Sequence, residues 1–272
     1  KEGRDRSLII NKEMVDQAKE NLISRRETHL DQLGDKLQEE RVARVVGPLL
    51  EGVLDPQRLP TDDVQYVQDL GLITVKDQVD MANPIYKEII PRELTYGTQL
   101  SLSQQTAWYV RSDGSLDMNK LVSAFQKFFR EHSESWLERF QYNEAGPQLL
   151  MQAFLQRIIN SGGRVEREFG LGRMRTDLLV LWPLTEAQPG KPSWTRWQGP
   201  VQKAVIELKI LYKSLERTIA DGLQQTFEYM NRCGTNEGHL IAFDRRENIS
   251  WEEKIFCLEK EYQGYKIMVW GM

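Results

Sequence analysis

The chain has 272 residues and a mass of 31.7 kDa, with 40% apolar and 28% charged residues, the composition of a globular protein of about two domains. Its longest apolar run, residues 178–184, is strand-length, so no membrane-spanning helix and no membrane partner are expected. The net charge of −4 excludes a surface that is basic all over, as a general polyanion coat would be.

That charge is unevenly placed. Residues 141–272 carry 17 Lys and Arg against 16 Asp and Glu, which leaves 19 against 24 for residues 1–140. A nucleic-acid site is therefore expected as a local patch in the second half. Cys233 and Cys257 stand far apart without CxxC spacing, which argues against a disulfide framework or a zinc site and fits a reducing, cytoplasmic compartment. The chain starts at Lys1 without a basic-then-apolar leader, so it reads as a fragment or processed product.

Residues 1–50 read as helices. Met14, Val15, Ala18 and Leu22 recur at helical spacing, as do Leu30, Leu33 and Leu37 and then Val42, Val45 and Val46. Gly47-Pro48 is expected to break the second stretch. Pro60-Thr61-Asp62-Asp63 starts a short helix whose apolar face is Val64, Val67 and Leu70, ending at Gly71. Residues 72–75 and 79–82 then read as a β-hairpin. This order predicts a winged-helix unit, roughly residues 30–95. Its last helix exposes Asp62, Asp63, Gln65, Gln68 and Asp69, which repel phosphate, so a docking unit is favoured over a DNA reader.

Residues 96–140 are a connector, with a turn at Ser112-Asp113-Gly114 and an amphipathic helix over 121–137 whose Phe125, Phe128 and Phe129 are core packing. From Glu144 the pattern changes. A helix with a buried face carries Leu149, Leu150, Ala153, Phe154, Ile158 and Ile159 and ends at Ser161-Gly162-Gly163. Strands follow over 164–169, 176–182 and 204–212, then a helix over 214–232. A strand over 238–244, a helical segment near 251–262 and a strand over 265–270 close the chain. The whole is an α+β or α/β layer fold: a helical part over 1–95, a helical connector over 96–140, and a mixed sheet flanked by helices over 141–272.

The chemistry concentrates on the strand Ala204-Val205-Ile206-Glu207-Leu208-Lys209-Ile210. Period-two alternation puts Ile206, Leu208 and Ile210 on one face and Glu207 and Lys209 on the other. A carboxylate and an ammonium on an apolar strand are costly to desolvate unless something compensates. Asp177 opens the apolar strand about thirty residues earlier. An acid followed on the next strand by Glu-x-Lys suits a hydrated Mg²⁺ held by two carboxylates, with the lysine beside the attacking water. The blander reading is a buried Glu207–Lys209 ion pair with Asp177 capping a turn. Glu144 at the start of the preceding helix and Glu168 on the preceding strand are both candidates for a third acid. The glycine turn 170–175 brings Arg173 and Arg175 toward a phosphate. Gln224, Gln225 and Tyr229 lie on the helix that follows. His29, His132 and His239 are isolated and read as surface or packing residues. Trp194, Arg196 and Trp197 either stack on nucleic acid or fold back on the sheet.

Glu144, the turn Glu168-Phe169-Gly170-Leu171-Gly172-Arg173, Arg175-Thr176-Asp177 and Glu207-Leu208-Lys209 together resemble the PD-(D/E)XK nuclease superfamily. The closest resemblance is to the nuclease-like region at the C-terminus of bacterial AAA-type ATPase proteins. Tyr66-Val67-Gln68-Asp69-Leu70-Gly71-Leu72-Ile73 and Asn83-Pro84-Ile85-Tyr86 look like the winged-helix segment of those proteins. The resemblance implies a restriction-endonuclease-like sheet and a Mg²⁺- or Mn²⁺-dependent nuclease acting on DNA. Asp177 and Glu207 would be its metal ligands, Lys209 the catalytic lysine, Glu144 the first-helix acid, and Gln224 or Gln225 the supporting polar residue. DNA would meet Arg173, Arg175, Lys213 and Arg217. Thr176 stands where the motif has proline, and no G-x-x-x-x-G-K-[ST] occurs, so the ATPase module is expected as a partner. The alternative is an inactive module of the same fold that binds DNA or a protein.

Overall fold

The computed structural model describes residues 14–15, 18, 28–51, 59–76, 78–94, 108–139, 146–160, 162–169, 176–185, 193–211, 214–246 and 248–272. Their architecture is α+β: a helical first half and a six-stranded mixed sheet flanked by helices.

Helices α1 (Thr28–Leu37), α2 (Glu40–Glu51) and α3 (Thr61–Asp69) precede a two-stranded antiparallel hairpin, β1 (Ile73–Val75) and β2 (Val79–Met81), and then α4 (Pro84–Leu94). Leu33 and Leu37 of α1 and Val42, Val45, Val46 and Leu50 of α2 are buried, as helical spacing requires. Two expectations are corrected here. Gly47-Pro48 does not break α2, which runs through Pro48 to Glu51. Proline removes one backbone donor, but Val45, Val46 and Leu50 on either side are anchored in the core, and that burial outweighs the lost bond. Asp63 is buried, not exposed. Its carboxylate lies 3.6 Å from Arg41 Nε and 3.4 Å from Arg44 Nη1, while Arg41 also stacks 3.8 Å from the centre of the Tyr66 ring. Part of the acid on α3 is thus matched by arginines of α2.

The Ser112–Gly114 turn closes a bridge between Val110 and Leu116, with Asp113 Oδ1 accepting from Ser115 N at 2.9 Å. Helix α5 (Met118–Arg139) follows, then α6 (Gly146–Asn160). Gly163 N donates to Ile158 O at 2.8 Å and ends α6 at the expected glycines. Phe125, Phe128 and Phe129 are buried, and Phe129 meets Phe243 of the sheet with ring centres 5.1 Å apart.

The sheet contains β3 (Arg164–Phe169), β4 (Thr176–Pro183), β5 (Val201–Ile210), β6 (Gly238–Phe243), β7 (Phe256–Tyr262) and β8 (Tyr265–Gly271), in the order β3-β4-β5-β6-β8-β7. Strands β3, β4 and β5 form an antiparallel meander. Helix α7 (Leu215–Cys233) crosses over to bring β6 parallel to β5, and β8 lies parallel to β6. Ile206, Leu208, Ile241, Phe243 and Trp270 share a core with α5 and α6. Leu179, Val205, Leu240 and Val269 share a second with Leu223, Tyr229 and Met230 of α7. One buried cluster runs continuously from Leu33 to Met272.

The expected helix over 251–262 is largely wrong. Only α8 (Trp251–Lys254) is helical, and β7 is an edge strand antiparallel to β8. Gln263 and Gly264 turn the chain at φ 52° and 80°, the left-handed pair that a two-residue hairpin needs.

Candidate active site

Strand β5 carries the site because its two faces belong to different layers. Ile206 and Leu208 enter the α5–α6 core, so Glu207 and Lys209 turn toward α7. Glu207 is completely buried, and Lys209 is 16% exposed at the side chain, so the carboxylate is dry and the ammonium edges toward water. Lys209 Nζ donates to Glu207 Oε1 and to Gln225 Oε1 at 2.6 Å. Gln225 can reach because α7 lies close to the sheet. A Cβ on Gly222 would meet Leu240 Cδ1 at 2.6 Å, and Leu240 is the β6 neighbour of Glu207.

Asp177 stands directly opposite Glu207 in the β4–β5 register, and Glu168 directly opposite Asp177 in the β3–β4 register. Cross-strand partners carry their Cβ atoms on one face of a sheet, about 4.5–5.5 Å apart. Three acidic positions therefore occupy one row, which continues into Leu240 and Val269. The side chains of Asp177 and Glu168 are outside the described set.

No family model, curated protein or solved structure matches the chain.

Glu207 offers carboxylate oxygens as donors, the ligand type a hard cation takes. Among the described residues its Oε2 is buried without a hydrogen-bond partner. An unpartnered buried carboxylate oxygen is costly, and one Lys209 Nζ compensates only the other oxygen. Oxygen-only donors fit Mg²⁺ or Mn²⁺ in preference to zinc. Among the described residues no three His, Cys, Asp or Glu side chains form a metal cage, so the fit rests on Glu207 and the register of position 177.

The other predicted residues divide. Gln224 is exposed on α7 and donates to Glu228 Oε1 at 3.0 Å, away from the pair; of the two glutamines, Gln225 reaches Lys209. Tyr229 is buried in the α7 core. Arg217 is exposed in the first turn of α7, where its backbone N donates to the Ser214 cap at 3.3 Å. Glu144, Arg173, Arg175 and Lys213 lie outside the described residues. The segment Ser193–Gln198 forms a 3₁₀ turn that folds back on the sheet. There Arg196 Nε donates to Thr185 O at 2.9 Å, and the Arg164 guanidinium covers the Trp197 ring at 3.9 Å. His239 is buried packing on the opposite face from Glu207, with Trp270 Nε1 donating to its Nδ1 at 3.2 Å. Gly222 belongs to no motif; its signal was only a glycine inside an otherwise good helix.

Proposed function

We propose that the chain is a divalent-metal-dependent nuclease that hydrolyses phosphodiester bonds in DNA. The observation that carries this reading is a fully buried Glu207 with one oxygen unpartnered among the described residues, next to Lys209 and opposite position 177. The likeness of these residues to the PD-(D/E)XK pattern adds to it.

In this reading Asp177 and Glu207 hold Mg²⁺ or Mn²⁺, which when bound supplies a Lewis acid for the phosphate and a more acidic water. Gln225 accepts from Lys209 and so fixes the ammonium at the rim of the buried carboxylate. From there Lys209 orients the attacking water and offsets negative charge on the phosphate. The dry setting of Glu207 strengthens each of these interactions. Arg217, exposed in the first turn of α7, and Arg173, Arg175 and Lys213 neutralise flanking phosphates. The partners in this reading are DNA and an ATPase module of the same or another chain, in the reducing cytoplasm. Among the described residues no helix is long and apolar enough to cross a membrane.

The test is incubation of plasmid and linear DNA with Mg²⁺ or Mn²⁺, for wild type and Lys209→Ala. Metal-dependent cutting that the substitution abolishes is the expected result. Binding without cutting by either protein points instead to an inactive module of the same fold.

A further inference from the structure

On the α7 face of the sheet, the cross-strand rows are unevenly filled. The row through Glu207 continues into Leu240, Val269 and Leu258, branched side chains that take up the space beside it. The next row, through Lys209, continues into Ala242, Gly271 and Phe256. Its two middle positions carry almost no side chain, and the Phe256 ring lies where a Cβ on Gly271 would stand. A cavity of about 110 Å³ opens here, beyond the carboxyl ends of parallel β5 and β6. Open sheets with parallel strands commonly receive ligands at that end.

Size and lining restrict the occupant. The cavity is well below the roughly 300 Å³ at which drug-sized pockets begin, so it admits a single ring system. Leu211, Leu215, Ile249 and Phe256 supply apolar walls, and Glu253 and Lys254 add a carboxylate and an ammonium to the lining. Asp244 and Arg246 supply a polar edge, with Arg246 Nε 2.9 Å from Asp244 Oδ1 and Nη2 2.6 Å from Oδ2. Arg246 holds the Asp244 carboxyl below the usual range, burial opposing it, so the edge offers an ionised acceptor and a planar donor together. The Phe256 ring among aliphatic walls, with carboxylates and a guanidinium at the edge, suits a nucleobase, which can lay one π-face on the ring and present a rim of donors and acceptors. Ala242 is one strand spacing, about 4.8 Å, from the Lys209 position.

We propose that this cavity holds one unpaired base of single-stranded DNA whose neighbouring phosphate lies at Lys209. The proposal rests on the nuclease reading and adds a substrate class to it. A base paired in a duplex reaches such a cavity only after leaving the stack, so the cavity favours single-stranded or unpaired substrate.

The test uses the full chain in EDTA and a short fluorescein-labelled oligonucleotide, read by fluorescence anisotropy. Ile249→Trp fills the cavity from the half-buried loop and Ala242→Leu fills it from the floor; if the second fails to fold, the first still decides. Wild type is expected to bind the single strand more tightly than the same sequence as a duplex. Each folded variant should weaken single-strand binding about tenfold and leave Mn²⁺ binding unchanged. Moving one abasic position along the oligonucleotide should give a similar loss at one place only, and no loss with Ile249→Trp. Equal binding by wild type and Ile249→Trp, or an abasic scan without a position effect, overturns the proposal. These outcomes separate from those of the nuclease reading. Metal-dependent cutting of single-stranded DNA untouched by Ile249→Trp removes the base pocket and keeps the nuclease, whereas the binding pattern without metal-dependent cutting removes the nuclease and keeps the pocket.

Discussion

Replacing Lys209 with Met keeps the length of the side chain and removes its charge. Glu207 is then a fully buried carboxylate whose ion-pair partner among the described residues is gone. Breaking a buried pair by removing one member costs about 3–5 kcal/mol. Lys209 is itself 16% exposed, so the lower end, about 3 kcal/mol, is the relevant figure. At about 2–4 °C per kcal/mol for a chain near this size, the melting temperature should fall by about 6–12 °C in EDTA. Two further samples locate the cause. Combining Lys209→Met with Glu207→Leu replaces the pair by apolar groups and should recover most of the loss. Adding Mn²⁺ should raise the melting temperature of Lys209→Met, since a cation at Glu207 takes over the role of the ammonium. The assay is thermal denaturation followed by circular dichroism. A Lys209→Met protein that melts within about 2 °C of wild type in EDTA refutes the picture of a dry carboxylate held by this lysine.

Gln225→Ala removes the acceptor that fixes Lys209 and should lower metal-dependent cutting at least tenfold, whereas Gln224→Ala, on an exposed residue bonded to Glu228, should leave the rate unchanged in the same assay. Burial pushes the Glu237 carboxyl up, but His239 Nε2, 4.0 Å from Oε1, and the hydrogen bond that Gln202 Nε2 donates at 2.9 Å outweigh it and hold the group below its ordinary value of 4.5. That contribution to stability is therefore present above the ordinary value and lost as pH falls through it toward the lowered one; urea midpoints measured across that acid range should fall less steeply for Glu237→Gln than for wild type. Ser214→Ala removes the side-chain cap of α7 and should cost about 1 kcal/mol in urea denaturation.

The separation of Glu207 and Lys209 from Ile206 and Leu208 was legible because it depends on period two alone. Residues 176–182 and 204–212 read as strands and alternation separates Glu207 from Ile206 and Leu208, while the antiparallel register that places position 177 opposite Glu207 comes from the structure. Gln225 was a nominee on helical spacing, but choosing it over Gln224 required the rotation of α7, which Leu223, Tyr229 and Met230 set by packing on the sheet. Strand β7 was missed because its outward charges Glu259, Lys260 and Glu261 suit a solvated helix as well as an edge strand. The Gln263-Gly264 turn settles the choice only once φ is known. Asp63 and Pro48 misled for a common reason: each follows a local rule that tertiary contacts override, two arginines in one case and an apolar core in the other. The cavity left no signal, since small residues at 242 and 271 make a gap only when β6 and β8 lie side by side.

The claim on which the rest depends is that Glu207 and Asp177 together hold one divalent cation. Titration of Mn²⁺ into wild type, Asp177→Ala and Glu207→Gln, followed by calorimetry, tests it without any requirement for cutting. Wild type should give a saturable binding heat, and each substitution should weaken binding at least tenfold while circular dichroism shows the protein still folded. Identical heats and affinities for wild type and either folded variant contradict the assignment and leave Glu207 and Lys209 as a buried ion pair without a metal.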